Sequence, residues 1–187
     1  MSATSPIPGF SAPAAGFEAP LEMLAACHGR IGQQCETLRR LVAHLAAHGS
    51  STLPDEQARS AAANVMRYFD TAAPQHHADE DEDLFPALLE AMAGSDAVCI
   101  RDLTERLAGE HEALELAWER LRAKLAVIAA GGAGPLTQAD VERFIGLYAS
   151  HIEMEEHELL PMAARLLSDA QLDEIGRAMR ARRGVGL

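Results

Sequence analysis

Aromatic side chains are scarce in this 187-residue chain, which has one Trp, two Tyr and five Phe. That is too few for a series of base-stacking platforms or a ring-lined small-molecule pocket. Positive charge is also short: 16 Lys and Arg face 28 Asp and Glu, for a formal charge of -12. A surface of that sign repels phosphate, which disfavours nucleic acid as a partner. Cysteine is limited to Cys27, Cys35 and Cys99, with no CxxC pair; neither a disulfide framework nor a zinc ribbon is indicated, and a reducing cytoplasm is expected. The longest apolar run, residues 125–130, falls far short of the roughly 20 residues a membrane span needs. Residues 1–20 lack a basic residue followed by an apolar stretch, so no export signal is expected.

What is present is helical. The apolar fraction is 48%, dominated by Ala and Leu, and no run of alternating β-branched residues reads as a strand. Residues 1–17 carry Pro6, Pro8, Gly9, Pro13 and Gly16 among Ser and Ala and read as a flexible arm, with one domain over 18–187. From Pro20, Leu21, Leu24, His28, Ile31, Cys35, Leu38, Val42 and Leu45 recur every three or four positions until Gly49, the pattern of an amphipathic helix. Pro54 opens a second helical stretch through Val65, Met66 and Phe69, where Pro74 and Pro86 predict a kink and a break. A third helix is predicted over about 96–130, ended by the 131–135 Gly/Pro cluster. Thr137 and Asp140 form a capping-box pair opening a fourth, which runs toward Pro161, and Ser168 with Gln171 opens a short fifth. The expected fold is all-α, an antiparallel up-down four-helix bundle with a loose N-terminal arm and a short C-terminal fifth helix.

Polar residues interrupt the apolar stripes. His28 lies between Leu24 and Ile31, and His111 lies four after Leu107 and three before Leu114, so both point inward. An unpaired core imidazole or carboxylate costs several kcal/mol, roughly. His76 with Glu80, and His151 with Glu155, stand at i, i+4, about 6 Å apart along one helix face. Their surroundings repeat: HHADEDEDLFP from His76 and HIEMEEHELLP from His151, each with proline ten residues after the histidine. Two imidazoles and two carboxylates would meet between these helices, joined by His28 and His111 from the other two. Imidazole and carboxylate without thiolate suit a two-metal centre, with iron the best fit. The ferritin-like Glu-x-x-His motif is absent, as is HExxH.

These residues resemble the hemerythrin-like, or HHE cation-binding, family. The likeness covers most of residues 20–187: Cys27-His28 on the first helix, His76, His77, Glu80 and LFP on the second, Glu110-His111 on the third, His151, Glu155 and LLP on the fourth. It implies two iron ions, oxo- or hydroxo-bridged, with Glu80 and Glu155 bridging, His28, His76, His111 and His151 as terminal ligands, and an open position for a small ligand. The chain departs from invertebrate hemerythrin, whose third helix carries two histidines four apart and whose last bridging carboxylate follows its histidine by five. Here position 115 is Glu, and Glu155 follows His151 by four. His77 and Glu115 are the candidates for an additional ligand, and the departure argues against simple reversible oxygen carriage.

The resemblance implies a protein that binds or senses O2, NO, peroxide or iron. Competing readings are a di-iron oxidoreductase turning over peroxide or nitric oxide, with iron-sulfur repair ranked lower because residues 1–17 hold no cysteine, and a metal-free structural bundle; whether it is an enzyme stays open. Other features read as structural. His44, His48 and His157 are rotated off the inner face, the remainder of Asp79 to Asp83 is a solvated helix face, Cys27 is a buried filler, and Arg177, Arg180, Arg182 and Arg183 complement a helix dipole.

Overall fold

Pro20 opens the first helix of the computed structural model, which describes residues 16–48, 53–91 and 97–185. This helix, α1 (Pro20–His48), buries Leu24, His28, Ile31, Cys35, Leu38 and Val42 along one stripe, as the spacing predicts. Asp55 caps α2 (Glu56–Ala78), its side chain accepting from the Ala58 N–H. Next come a π-helical turn, π1 (Asp79–Leu84), and α3 (Phe85–Ala91). The long α4 (Ala97–Ala129) ends at Gly131, whose φ of 87° only glycine adopts without strain. There the Gly132 N–H reaches back to the Val127 carbonyl, the 6→1 bond of a Schellman stop.

The capping box of Thr137 and Asp140 forms as expected and starts α5 (Gln138–Met154). It leads into a second π turn, π2 (Glu155–Leu159), then α6 (Leu160–Leu166). The Ser168–Gln171 box opens α7 (Asp169–Arg182). Among the described residues there is no strand, and no helix is long and apolar enough to cross a membrane.

Four helices close a ring: α1 packs on α2 and α5, and α4 packs on the same two. Their inner faces build two separate apolar clusters. One is centred on Phe69, whose ring lies 4.9 Å from Trp118, 5.1 Å from Phe144 and 5.5 Å from Tyr148. The other gathers Leu24, Leu84, Leu88, Leu107 and Leu159 beneath α3, α6 and α7. Along α1, Leu24 belongs to one cluster and Ile31 to the other, with His28 between them; along α4, His111 stands likewise between Leu107 and Leu114. The polar residues therefore occupy a single layer between two apolar halves.

One expectation needs correction. The chain does not break at Pro86: α2 runs on through Pro74, and a π turn carries it to Pro86. Proline has no N–H and clashes with the carbonyl four residues back. At Pro86, and likewise at Pro161, the residue before the proline donates five residues back instead, Phe85 to the Glu80 carbonyl and Leu160 to the Glu155 carbonyl. The helix stays continuous with one extra residue in the turn. The expected arm lies outside the described residues over 1–15, but Phe17 is packed, with the Arg180 guanidinium 5.3 Å above its ring. Its main chain crosses α7 at Gly176, where a Cβ would collide with the Phe17 carbonyl.

Candidate metal centre

Each of the six core residues singled out by spacing lies in the layer. His28 comes from α1, His76 from α2, Glu80 from π1, His111 from α4, His151 from α5 and Glu155 from π2, and none is more than 6% exposed. Their tips converge. His28 Nε2 is 3.1 Å from Glu155 Oε2, His151 Nε2 is 2.9 Å from Glu155 Oε1, and His111 Nε2 is 3.1 Å from His151 Nε2. His76 Nε2 and His111 Nε2 lie 3.7 and 3.5 Å from the two Glu80 oxygens.

Two groups of four result: His28, His76, Glu80 and Glu155 in one, Glu80, His111, His151 and Glu155 in the other, each with its ligand atoms within 4.8 Å of one another. The carboxylates belong to both. His77 joins His111 and His151 in a third group, its ring stacked 4.2 Å from that of His111. Glu115, the other candidate for an additional ligand, is exposed and belongs to no group.

Despite this proximity, most of the atoms that face the centre lack hydrogen bonds, the pair His111 Nε2 and His151 Nε2 excepted. Both oxygens of Glu80 and of Glu155, Nε2 of His28 and of His77, and both nitrogens of His76 are buried without a partner in hydrogen-bond alignment. Native interiors rarely leave such atoms unsatisfied. The outward-facing nitrogens of the other three core histidines are satisfied. His28 Nδ1 donates to Glu156 at 3.1 Å, His111 Nδ1 to Asp81 at 3.0 Å, and His151 Nδ1 to Glu110 at 3.1 Å. A histidine that gives its far N–H to a carboxylate turns a lone pair inward, which is how metal-bound imidazoles are held. Nitrogen and carboxylate oxygen without sulfur are donors for iron, zinc or manganese, and two shared carboxylates offset the charge of paired cations. The layer fits metal.

The groups of the layer shift one another's titration. Burial, with Glu155 opposite, pushes the Glu80 carboxyl well above its usual range. Glu155 is buried too, but the facing imidazoles of His111, His151 and His28 hold it below that range. Burial lowers His76 to about 3 and His77 to about 2, with neighbouring imidazoles adding to the effect. Burial also opposes charge on His111, yet Asp81, Glu155 and Glu80 raise it to about 11.

Sequence reasoning missed Asp81, Glu110 and Glu156. A signal was there, since an acidic residue follows each layer carboxylate, Asp81 after Glu80 and Glu156 after Glu155. The acidic run is also not simply solvated. Asp79 is fully buried, held by Arg182 and Arg183, while Asp83 and Glu82 pair with Arg182 at 2.9 and 2.7 Å. These arginines therefore do more than complement a dipole. His157 is exposed and donates to the Glu153 carbonyl, and His44 pairs with Asp55 at 2.9 Å at the α1–α2 joint, so both lie off the layer as expected. Cys27 is buried beside His28, and its Sγ accepts from Arg30.

A groove of about 560 Å³ between α2 and α4 leads to the layer, with His77, His111, Pro74, Trp118, Tyr148 and Glu115 among its walls. A pocket of about 610 Å³ near Ile128 and Leu136 contains no histidine and lies away from the centre.

Comparison with known proteins agrees with this geometry. Residues 19–163 match the family model described as the hemerythrin HHE cation-binding domain. A protein of Haemophilus influenzae, described as uncharacterized, is 34% identical over 173 residues, covering 91% of this chain and 94% of the relative.

Proposed function

Because the chain belongs to the hemerythrin HHE cation-binding family, we propose that its polar layer holds two iron ions and that the protein binds or senses O2, NO or peroxide there. Glu80 and Glu155, which belong to both donor groups, would be shared by the pair, with His28 and His76 holding one ion and His77, His111 and His151 the other. The observation that carries this reading is the sharing of both carboxylates between two donor groups, with all four carboxylate oxygens left without an aligned hydrogen-bond partner. Iron, when bound, supplies the redox chemistry by which such ligands are taken up.

The chain's own residues do the rest. Asp81, Glu110 and Glu156 fix which imidazole nitrogen faces inward. The apolar clusters on either side keep water from the layer, and the α2–α4 groove supplies the approach. The proposal includes the up-down antiparallel course of α1, α2, α4 and α5, supported by their ring of contacts and by the short joints between α1 and α2 and between α4 and α5. It also includes a cytoplasmic setting, consistent with three cysteines that form no disulfide.

The test is metal content of protein purified under argon without added metal, with optical spectra before and after air. About two irons per chain, with near-ultraviolet ligand-to-metal bands on oxidation, is the expected result. Failure to load after iron reconstitution would favour a metal-free structural bundle, and stoichiometric zinc or manganese would keep the ligands and discard the oxygen chemistry. A second reading, an oxidoreductase consuming peroxide or nitric oxide, is favoured by a groove far wider than a diatomic needs. Steady-state consumption of either substrate by the loaded protein, rather than a stoichiometric spectral change, would establish it.

A further inference from the structure

The two carboxylate-bearing turns are alike in sequence and in backbone, but only one of them is gripped. Asp79, Glu82 and Asp83, half the residues of π1, all pair with arginine from α7. Asp79 is wholly buried and receives both guanidinium groups, Arg182 on Oδ1 and Arg183 on Oδ1 and Oδ2. Arg183 is itself anchored, donating to the Met179 carbonyl at 2.9 Å and lying against the Phe17 ring. Among the described residues no arginine or lysine pairs with π2, although it carries three acidic residues, Glu155, Glu156 and Glu158.

A buried carboxylate held by two forked cations cannot rotate without leaving a charge unpaired. Asp79 adjoins Glu80 in the chain, so the peptide that carries the Glu80 side chain is fixed at its N-terminal side. The brace also comes from outside the family-matched residues, since α7 begins at Asp169 and the match ends at 163.

We propose that Arg182 and Arg183 are positioning residues for the metal centre, acting through Asp79 and the π1 turn to aim the Glu80 carboxylate at the space it shares with Glu155. The proposal rests on the metal-centre reading. It assigns the C-terminal helix a role in the quality of the site and makes the two halves of the layer unequal: Glu80 is held from outside the ring of four helices, Glu155 only from within it.

The experiment uses the full chain loaded with ferrous iron. Affinity is measured by competition with a coloured ferrous chelator, alongside the optical spectrum of the oxidised centre and the melting temperature. The variants are R182Q, R183Q, R183K and D79N, with R39Q as control. Arg39 pairs with Glu142 at 2.9 Å on the surface and lies about three turns along α1 from His28. R183Q and D79N are expected to weaken iron binding about 10- to 100-fold and to shift the ligand-to-metal bands. R183K should fall between, because an ammonium replaces the charge but not the fork, and it serves if the glutamine variants do not fold. R39Q is expected to keep both affinity and spectrum. Folded variants with wild-type affinity and spectrum would overturn the brace and leave the centre standing. Equal loss of affinity in R39Q at a matched drop in melting temperature would also overturn it, as a merely structural effect. Wild-type protein that takes up no iron would remove both readings together.

Discussion

A carboxylate without an aligned hydrogen bond is an expensive group to bury, and Glu80 faces Glu155 in that state across the layer. Replacing one of two buried charges by a neutral isostere removes desolvation cost and repulsion. Glu80→Gln is therefore expected to do two opposite things: abolish binding of the second metal, and raise the melting temperature of the metal-free protein by a few degrees, about 1 kcal/mol of stability. Calorimetry with and without iron checks both signs. His77 and Glu115 are separated just as directly. His77→Ala should lower metal content or distort the spectrum, while Glu115→Ala, on an exposed side chain outside every donor group, should leave both unchanged. The six core ligand candidates were legible because histidine and carboxylate stood out on apolar stripes. Their outer acceptors were not, because the residue beside a ligand is turned about 100° around the helix and faces a partner only the assembled bundle reveals.

Elements carry information that residue types do not. Pro86 and Pro161 read as places where a helix stops, yet each sits just after a π turn that absorbs the missing donor and presents a glutamate to the layer. Pro161→Ala restores a donor and frees π2 to relax into α geometry, which would swing Glu155 away from its partners. Unchanged helical circular dichroism with at least tenfold weaker metal binding is the expected outcome. Helix starts were easier to read. The Thr137–Asp140 box forms as its spacing indicated, and Thr137→Ala should cost about 1 kcal/mol in urea unfolding. A hydrogen bond from Lys124, followed by those from Thr137, lowers Asp140 to about 2 from 3.8. A folded-state pKa below the unfolded one contributes stability above the ordinary value, and that contribution is lost as pH falls through the folded one. Asp140→Asn should accordingly flatten the decline in stability between pH 4 and 2, read from urea midpoints at each pH.

At the scale of the whole molecule, the helical class and the four long helices followed from periodicity, since a 3.6-residue stripe must find cover. The two-cluster core did not, because a sequence shows where apolar residues lie along each helix but not that the gaps in four stripes fall at one level. That level is where bound metal would join α1, α2, α4 and α5, so loading is expected to raise the melting temperature, by an amount that grows with free metal concentration. In a cell the same split core would set the lifetime of the chain. Without metal the molecule is expected to open most readily through its middle, exposing helix backbone to proteases, and digestion follows the population of such openings when reclosing is fast. Metal-free protein should be cut many times faster than loaded protein by a nonspecific protease at low dose, and equal rates would show that the layer does not govern opening. A chain held shut by the ion it carries reports the supply of that ion through its own abundance.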